Sequence, residues 1–392
     1  MANEKEVTKI TFGGWYQRTT LHLTEIYEFL SKGKSRLKLD NEKLKELYNK
    51  LDIRSVSRET GYLDYIKAIT KQGIEIKYYE DGLYIFEISS EDIEGAVKLI
   101  HNYFYRHFQP AINYIFSLGA PTPKILSNME DAHPIVITKY NREHSKFNVP
   151  ARFGEVYSKI VSRDISVYKA PGYIFIIGMP NKKESIEVIV EMQIFFKEFT
   201  DQLHKYLNIH RKIWEDISEI KEKKYVKGKE VEFYRAKLES YKKTIDLINN
   251  RINQMPAYSH TRASIAKYLN VEKNLIELFR YKFEDLFNTL AYIKEIWSMT
   301  DKYVNSAINI MVEISNKTTV SGIRSIQVLA SIGVVTTIVG YLTRDTLPQI
   351  SQIGIFYMLA LVIVVLGIDF TIKKYAKNKR YELKFAETEK EI

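Results

Sequence analysis

Residues 326–342 read IQVLASIGVVTTIVGYL and residues 353–372 read IGIFYMLALVIVVLGIDFTI, and these two apolar stretches decide the predicted fold. The second stretch contains roughly 16 apolar residues in 20, close to the ~20 residues with which a helix crosses a hydrocarbon layer of ~30 Å. A short polar segment, 343–352, joins the two stretches. The pattern predicts a transmembrane hairpin, and the alternative is a buried helical hairpin of a soluble protein.

The charges around this hairpin predict its orientation. Five basic residues follow the second stretch, whereas the joining segment carries only Arg344 and Asp345. An excess of lysine and arginine next to a membrane span marks the cytoplasmic side. We therefore expect a multi-pass protein of the plasma membrane with both termini in the cytoplasm, and no signal peptide. The basic residues expected at the membrane surface are Lys373, Lys374, Lys377, Lys379 and Arg380.

Composition excludes several classes of function. The 392 residues include no cysteine, so disulfides, thiolate metal sites and cysteine nucleophiles are all excluded. The net charge of +10 comes from basic residues scattered along the chain, apart from the C-terminal cluster. This distribution favours contact with a lipid bilayer over nucleic acid, which is not an expected partner. No catalytic motif is present, so we do not expect an enzyme, and we expect no bound cofactor.

The first 182 residues alternate strand and helix patterns. Strand-like runs include residues 8–12, 74–79, 83–88, 134–138, 165–168 and 172–178, and helical patterns fall near 41–52 and 91–118. Asp81-Gly82 lies between two of the runs, which predicts a hairpin with a tight turn. The sequence therefore predicts an α/β domain over residues 1–182.

After Pro180 the chain consists almost entirely of helix-forming residues. Gly228 and Pro256 divide it into two long helices and a third that begins near residue 258. The third contains an apolar row with a spacing of seven, which is typical of a coiled coil. That row is Leu269, Ile276, Phe283, Leu290, Trp297, Val304 and Met311. A companion row three residues later is Glu272, Phe279, Leu286, Ile293, Thr300, Ala307 and Ile314.

Together these patterns predict an α+β membrane protein with four parts. Residues 1–182 form the cytoplasmic α/β domain, and 183–321 form a long helical coiled-coil stalk. Residues 322–372 form the two C-terminal transmembrane helices, and 373–392 form a basic cytoplasmic tail. No proline occurs between Tyr258 and Leu342, so the third helix is expected to continue from the stalk into the first span.

This organisation resembles the CorA-type divalent-cation channels, a two-span family that includes magnesium and zinc transporters. At residue level the resemblance covers Gly340 to Pro348 and the tail Lys373 to Arg380. Gly340-Tyr341-Leu342 stands where the family has its Gly-Met-Asn signature. The resemblance implies a homo-oligomer, a pentamer in this family, and a cation such as Mg²⁺ as the substrate or regulator.

One face of the first apolar stretch has the residue types of a pore. Small and hydroxylated residues recur there every three or four positions, which permits close helix packing and a polar path. The alternative is ordinary packing of small residues without a pore. The predicted pore-lining residues are Ser325, Leu329, Ile332, Gly333, Thr336, Gly340, Tyr341 and Leu342, with Leu329 and Ile332 as an apolar gate.

The resemblance also implies regulation by divalent cations bound to the cytoplasmic part. Carboxylates are the ligands that Mg²⁺ prefers. The candidate ligands are Glu277, Glu284, Asp285 and Asp301, and the alternative is that these residues belong to a solvated helix face.

Two functions fit these features. The first is a homo-oligomeric metal-cation channel of CorA-like type, gated through its stalk. The second is a membrane-anchored coiled-coil scaffold or sensor without transport activity.

Overall fold

The computed structural model describes residues 8–16, 22–116, 134–281 and 283–342. It also describes residues 356, 359–360, 363–364, 366–368, 370–371, 374–375 and 378–382. The chain divides into two compact units. Unit 1 consists of Met1–Ile209 and Leu247–Glu295, and unit 2 of His210–Asp246 and Ile296–Ile392.

Unit 1 contains a nine-stranded sheet with the strand order β2-β3-β4-β5-β1-β6-β9-β8-β7. Neighbouring strands are antiparallel, except that β6 and β9 are parallel. The strands are β1 Thr8–Trp15, β2 Ile53–Glu59, β3 Tyr65–Thr70, β4 Glu75–Tyr79, β5 Leu83–Ser90, β6 Ile135–Tyr140, β7 Ser158–Val161, β8 Ile165–Ala170 and β9 Tyr173–Gly178. The six predicted strand runs coincide with β1, β4, β5, β6, β8 and β9, whereas β2, β3 and β7 were not predicted.

The turn between β4 and β5 confirms the hairpin predicted from Asp81-Gly82. Gly82 has a φ of 89°, a conformation that costs glycine little. Its backbone N–H donates to the Tyr79 carbonyl at 2.9 Å, which closes the turn. The Asp81 side chain accepts the backbone N–H of Leu83 at 3.2 Å.

One face of the sheet packs against four short helices to form the main core. They are α1 Leu23–Lys32, α2 Asn41–Leu51, α3 Ile93–Tyr103 and α4 Gln109–Phe116, with a π-helical turn at Phe104–Phe108 between the last two. Phe12, Phe86, Phe104 and Phe108 are fully or almost fully buried here. Phe86 meets Phe104 and Phe108 edge to face, with the centroids of Phe86 and Phe108 4.8 Å apart.

The other face of the sheet contacts α5, a helix that extends from Lys183 to Glu222. Gly13 on β1 lies at one close approach of the sheet to this helix. A Cβ atom at this position would lie 2.6 Å from the Tyr84 carbonyl oxygen and 3.2 Å from Cγ2 of Ile194. Glycine is therefore required at position 13, because only a residue without a side chain allows this close packing.

Three further helices follow: α6 Gly228–Tyr268, α7 Glu272–Phe279 and α8 Phe283–Leu342. The predicted continuous helix from residue 258 is wrong, because the chain takes a left-handed conformation at Asn270 (φ 55°) and at Arg280 (φ 59°). Such residues end a right-handed helix. Pro256 lies inside α6 rather than at a joint.

Most of the predicted seven-residue row on α8 is buried inside the chain. Leu290 is 3% exposed, and Trp297, Val304 and Met311 are fully buried. Ile276 is 43% exposed and belongs to the separate helix α7. In unit 2, Trp297 of this row and Thr300 of the companion row contact His210 of α5. The row is therefore a packing surface within one copy of the chain.

Unit 2 also contains a small antiparallel sheet of two strands, β10 Tyr225–Lys227 and β11 Arg380–Glu382. Val226 in β10 is fully buried, while Tyr225 beside it is 55% exposed. The Gly228 backbone N–H donates to the Lys379 carbonyl at 3.1 Å. The turn between α5 and α6 is thereby joined to residues near position 380.

The membrane part of the predicted fold is wrong. In the part of the chain that the structure describes, every helix falls short, in length or in apolar character, of what a bilayer crossing requires. Residues 326–342 number 17, with polar Gln327, Ser331, Thr336 and Thr337 among them, against the ~20 mostly apolar residues of a typical span. The segment 343–352, and much of 353–372, lie outside the described residues. The finding overturns the two transmembrane helices, the membrane class and the multi-pass location in the plasma membrane.

Because the row on α8 is buried within one chain, substitutions in this row should lower the stability of the single chain, independently of any assembly. We expect Trp297→Ala to lower the free energy of unfolding by about 3–5 kcal/mol, as for other large buried aromatic residues. The control Met299→Ala changes a residue that is 55% exposed on the same helix, and should cost no more than about 0.5 kcal/mol. Urea unfolding followed by circular dichroism measures both. Equal effects of the two substitutions would contradict the packing described for Trp297.

Candidate functional site

A network of paired charges lies between the sheet of unit 1 and α5. Lys9 Nζ is 3.0 Å from Glu87 Oε1 and 3.3 Å from Glu187 Oε1. Lys77 Nζ is 3.2 Å from the other oxygen of Glu87 and 3.2 Å from Glu191 Oε1. Glu87 is 7% exposed, so its charge needs the two lysines as compensation. The network joins β1, β4 and β5 to α5 through alternating charges.

Burial and pairing act on these groups in opposite directions. Burial alone would lower the pKa of Lys77, but Glu191 and Glu87 outweigh it and hold this pKa above its ordinary value. Burial raises the pKa of Tyr79, and the neighbouring Glu191 raises it further. Both residues therefore keep their usual protonation state at neutral pH, and neither is poised for proton transfer.

A second buried ion pair connects the β4–β5 turn to α6. The Arg262 guanidinium donates from Nε to Asp81 Oδ2 at 2.6 Å and from Nη2 to Oδ1 at 3.0 Å. Arg262 is 2% exposed. Its Cζ lies 4.8 Å from the ring centroid of Tyr79 and 5.4 Å from that of Phe195. The two-pronged bond and the stacking fix the guanidinium, a geometry that lysine cannot reproduce.

Trp15 completes the surroundings of this pair. Its indole Nε1–H donates to the backbone carbonyl of Asp81 at 2.8 Å. Its ring meets those of Phe195 and Tyr258, with centroids 5.1 and 6.0 Å away. The aromatic side chains exclude water from the ion pair, which strengthens its attraction and raises the cost of removing either partner.

Three buried hydroxyl groups near the charge network have no hydrogen-bond partner among the described residues: those of Thr11, Thr138 and Tyr140. Thr11 pairs with Glu87 across β1 and β5, and Thr138 pairs with Lys9 across β6 and β1. Directly paired residues project to the same face of a sheet, so these hydroxyls share the face of the charge network. Ordered water is the usual partner of such groups.

The described part of unit 2 contains an aromatic cluster around His210 of α5. The Thr300 hydroxyl donates to the Ile296 carbonyl at 2.8 Å, so it must accept the 2.7 Å bond from Nε2–H of His210. The imidazole stacks on Trp214 and meets the edge of Trp297, with ring centroids 6.1 and 5.6 Å away. Burial lowers the pKa of His210.

The predicted metal ligands are not brought together. Lys242 Nζ lies 2.5 Å from Asp301 Oδ1, and Lys273 Nζ lies 3.7 Å from Glu277 Oε1. Glu284 and Asp285 lie in the first turn of α8. Across the ranges that the structure describes, there is no group of three or more acidic or histidine residues that could hold a metal ion.

The predicted pore residues lie on the last turns of α8. Thr336 and Gly340 are exposed, and Leu329 and Gly333 are partly exposed. A Cβ atom added at Gly333 or Gly340 would meet no heavy atom within 4 Å. The side chains of Ser325, Ile332, Tyr341 and Leu342 lie outside the described part. A pore lined by these residues stays a prediction.

The basic residues predicted at a membrane surface are described in part. Lys374, Lys379 and Arg380 are exposed, and Lys373 and Lys377 lie outside the described residues. Arg380 belongs to β11, so part of this basic segment pairs with β10. Sequence analysis missed this pairing, and it also missed the Asp81–Arg262 pair, whose members are 181 residues apart. Asp81 carried only the signal of a turn residue.

Comparisons with protein-family models, with curated proteins and with solved structures find no match. The resemblance to CorA-type channels therefore stays a prediction, as do the metal-cation function, the divalent-cation ligand and the pentameric assembly. The expectations of no enzymatic activity, no cofactor and no nucleic-acid partner are also untested.

The buried pair of Asp81 and Arg262 generates a test of the site. Arg262→Met should lower the free energy of unfolding by about 3–5 kcal/mol, because it leaves the Asp81 carboxylate buried and uncompensated. Adding Asp81→Asn removes that charge, so the double variant should be more stable than Arg262→Met alone. The control Arg58→Met removes an exposed ion pair with Asp64, which contributes about 0–1 kcal/mol. Guanidinium unfolding curves of all variants provide the comparison, and a double variant less stable than Arg262→Met would refute the coupling.

The environment of His210 predicts a dependence of stability on pH. Burial lowers the pKa of His210 in the folded chain, so the unfolded chain, with the ordinary pKa of 6.5, binds a proton first as the pH falls. As the pH falls below this value, the unfolded state is therefore favoured, and the free energy of unfolding should decrease. His210→Gln should flatten this decrease between about pH 7 and 5. The control His204→Gln changes an exposed histidine of the same helix and is measured alongside. The measurement is thermal unfolding across this pH range. Parallel curves of stability against pH for the wild type and His210→Gln would disprove the assignment of the pH dependence to His210.

Proposed function

We propose that the protein is a homo-oligomeric scaffold without transport activity, in which the residues between 326 and 370 associate copies of the chain. The observation that carries the proposal is the exposure of large apolar side chains in this segment. The described members are each 40–76% exposed. They are Ile326, Val334, Phe356, Leu359, Ile363, Val364, Leu366, Ile368 and Phe370, named below the C-terminal apolar residues.

Exposure of this kind favours association. Single exposed apolar residues are common on protein surfaces, but a dense set within 45 residues is typical of an interaction surface. Covering nine such side chains contributes on the order of 10 kcal/mol per copy at about 1–2 kcal/mol each. In a symmetric assembly every copy contributes this amount. Association costs roughly 4–15 kcal/mol, because the copies lose translational and rotational freedom.

The occupant that we propose is a second copy of the same chain. Oligomers with closed symmetry most often present the same surface from each subunit. The glycines at 333, 340 and 367 have open space around the position of a Cβ atom, so another helix could approach their backbone closely. The resemblance to an oligomeric family gives the same expectation from the sequence.

The described contacts favour a scaffold over the metal-cation channel. Two of the four predicted metal ligands, Asp301 and Glu277, are paired with lysines. The buried charges of unit 1 likewise compensate one another. These pairs stabilise the folded chain. In the proposed assembly the copies associate through the C-terminal apolar residues, and each copy carries its own unit 1.

The test is the subunit count of the full chain by native mass measurement and analytical ultracentrifugation. The wild type should be an oligomer, and Ile363→Gln combined with Phe370→Gln should shift it toward smaller species. The matched control combines Ile276→Gln with Phe233→Gln, which are also exposed but lie outside the C-terminal apolar residues. The control should keep the wild-type count.

Two results would contradict the proposal. One is a wild type that is monomeric at micromolar concentration. This result includes a monomer whose C-terminal apolar residues are covered by detergent or lipid vesicles rather than by a second copy of the chain. The other is an unchanged subunit count in the Ile363→Gln, Phe370→Gln variant. Circular dichroism of each variant verifies that its helices are intact, so that loss of the fold is not mistaken for loss of association.

A further inference from the structure

The two short strands of unit 2 bring together basic residues that are distant in sequence. β10 and β11 pair with Tyr225 opposite Glu382, Val226 opposite Tyr381, and Lys227 opposite Arg380. Alternation along the strands places the Lys227 and Arg380 side chains on the same face. Two cations thus lie directly opposite each other, an arrangement that destabilises a strand pair.

The described carboxylates do not compensate these two cations. Neither Lys227 nor Arg380 forms an ion pair with a described acidic side chain, whereas twelve other lysines of the described chain do. The nearby Glu230 accepts a hydrogen bond from the backbone N–H of Lys227 at 3.3 Å. Glu382 lies opposite Tyr225, two residues along the strand from Arg380 and on the same face, but in the described part of the chain it forms no ion pair with Lys227 or Arg380.

Other basic residues lie close to this pair in sequence, and Lys379 is also joined to Gly228 by a backbone hydrogen bond. Lys224, Lys229, Lys374 and Lys379 are all exposed. Lys223 and Lys224 directly follow the C-terminus of α5, where the helix dipole favours cations, so these two need no further explanation. Lys227 and Arg380 have no such compensation. Their juxtaposition concentrates positive charge at one point of the surface, which favours the binding of an anion.

We propose that Lys227 and Arg380, with Lys229 and Lys379 beside them, bind a compact anion that carries several phosphate groups. Arginine donates two parallel bonds to a phosphate, and lysine adds a mobile point charge. A three-residue strand is only about 10 Å long, and its neighbour lies about 5 Å away. The site therefore matches a compact polyphosphate better than an extended nucleic acid.

The exposed aromatic residue Tyr225 borders the site, and Lys379 Nζ lies 5.6 Å from the ring centroid of Tyr381. The phosphate groups have two possible sources with the same chemistry, namely a free polyphosphate and the headgroup of an anionic lipid. The inference does not depend on the proposed scaffold function, because it uses none of the C-terminal apolar residues.

The experiment titrates sodium tripolyphosphate into the full chain by calorimetry at low salt and again at ~0.15 M salt, where screening weakens exposed charges. Parallel arms use vesicles of phosphatidylglycerol, vesicles of phosphatidylcholine, and a single-stranded oligonucleotide. We expect saturable binding of tripolyphosphate or of phosphatidylglycerol vesicles. Lys227→Gln combined with Arg380→Gln should weaken it at least tenfold.

A charge-matched control separates this site from the general positive charge of the protein. Lys43→Gln combined with Lys50→Gln removes two exposed lysines that pair with Glu46 on α2, and should leave binding within twofold of the wild type. The Lys227, Arg380 variant should keep or raise its thermal stability, because it loses a repulsion. Absence of binding to both phosphate probes would overturn the proposal. So would binding of the oligonucleotide alone, or an equal loss of binding in the control.

Discussion

The fold of unit 1 depends on charges that are buried between its sheet and its helices. Glu87 and Asp81 are almost inaccessible to water, and each is compensated by cations from other elements. A buried charge without a partner costs several kcal/mol, so α6 can pack on the sheet only in the register that places Arg262 at Asp81. The helix α5 supplies Glu187 and Glu191, which pair with the two lysines that compensate Glu87. Apolar contacts alone would tolerate small shifts along the sheet, whereas the two-pronged Asp81–Arg262 bond does not.

Unit 2 relies on a different kind of contact. Trp297 and Thr300 on α8 meet His210 on α5, and Trp214 lies 5.2 Å from Tyr303 between ring centroids. Buried aromatic area and one directed hydrogen bond specify how these helix segments pack. Paired charges such as Lys242 and Asp301 lie at the partly exposed margin, where they contribute less.

Local patterns in the sequence predicted the local parts of the structure. The Asp81-Gly82 turn and the strands on either side of it follow from backbone preferences, and the row through Trp297, Val304 and Met311 follows from its spacing. The breaks at Asn270 and Arg280 were not predicted, because neither position holds a glycine, the residue that most often marks a left-handed conformation at a helix end.

Local sequence patterns could not predict which distant residues are in contact or which apolar side chains are exposed to solvent. No local signal could reveal that Asp81 binds Arg262 or that Lys227 lies opposite Arg380. The transmembrane prediction failed for a related reason. A hydropathy pattern shows that apolar side chains are present in 326–342, but it does not identify what covers them. The predicted pore and metal residues depended on the transmembrane prediction and on the resemblance. The described contacts do not bring these residues together in one site, and they do not test the predicted roles.

The pairing of β10 with β11 has a consequence for the synthesis of the chain. Lys227 leaves the ribosome about 150 residues before Arg380, its partner across the strands. Throughout that interval β10 has no neighbouring strand, and Val226, which is fully buried in the folded chain, lacks its cover from Tyr381. Closing so long a loop is slow compared with forming the helices between its ends. The turn between α5 and α6 is therefore completed late, after the helices on either side of it have formed.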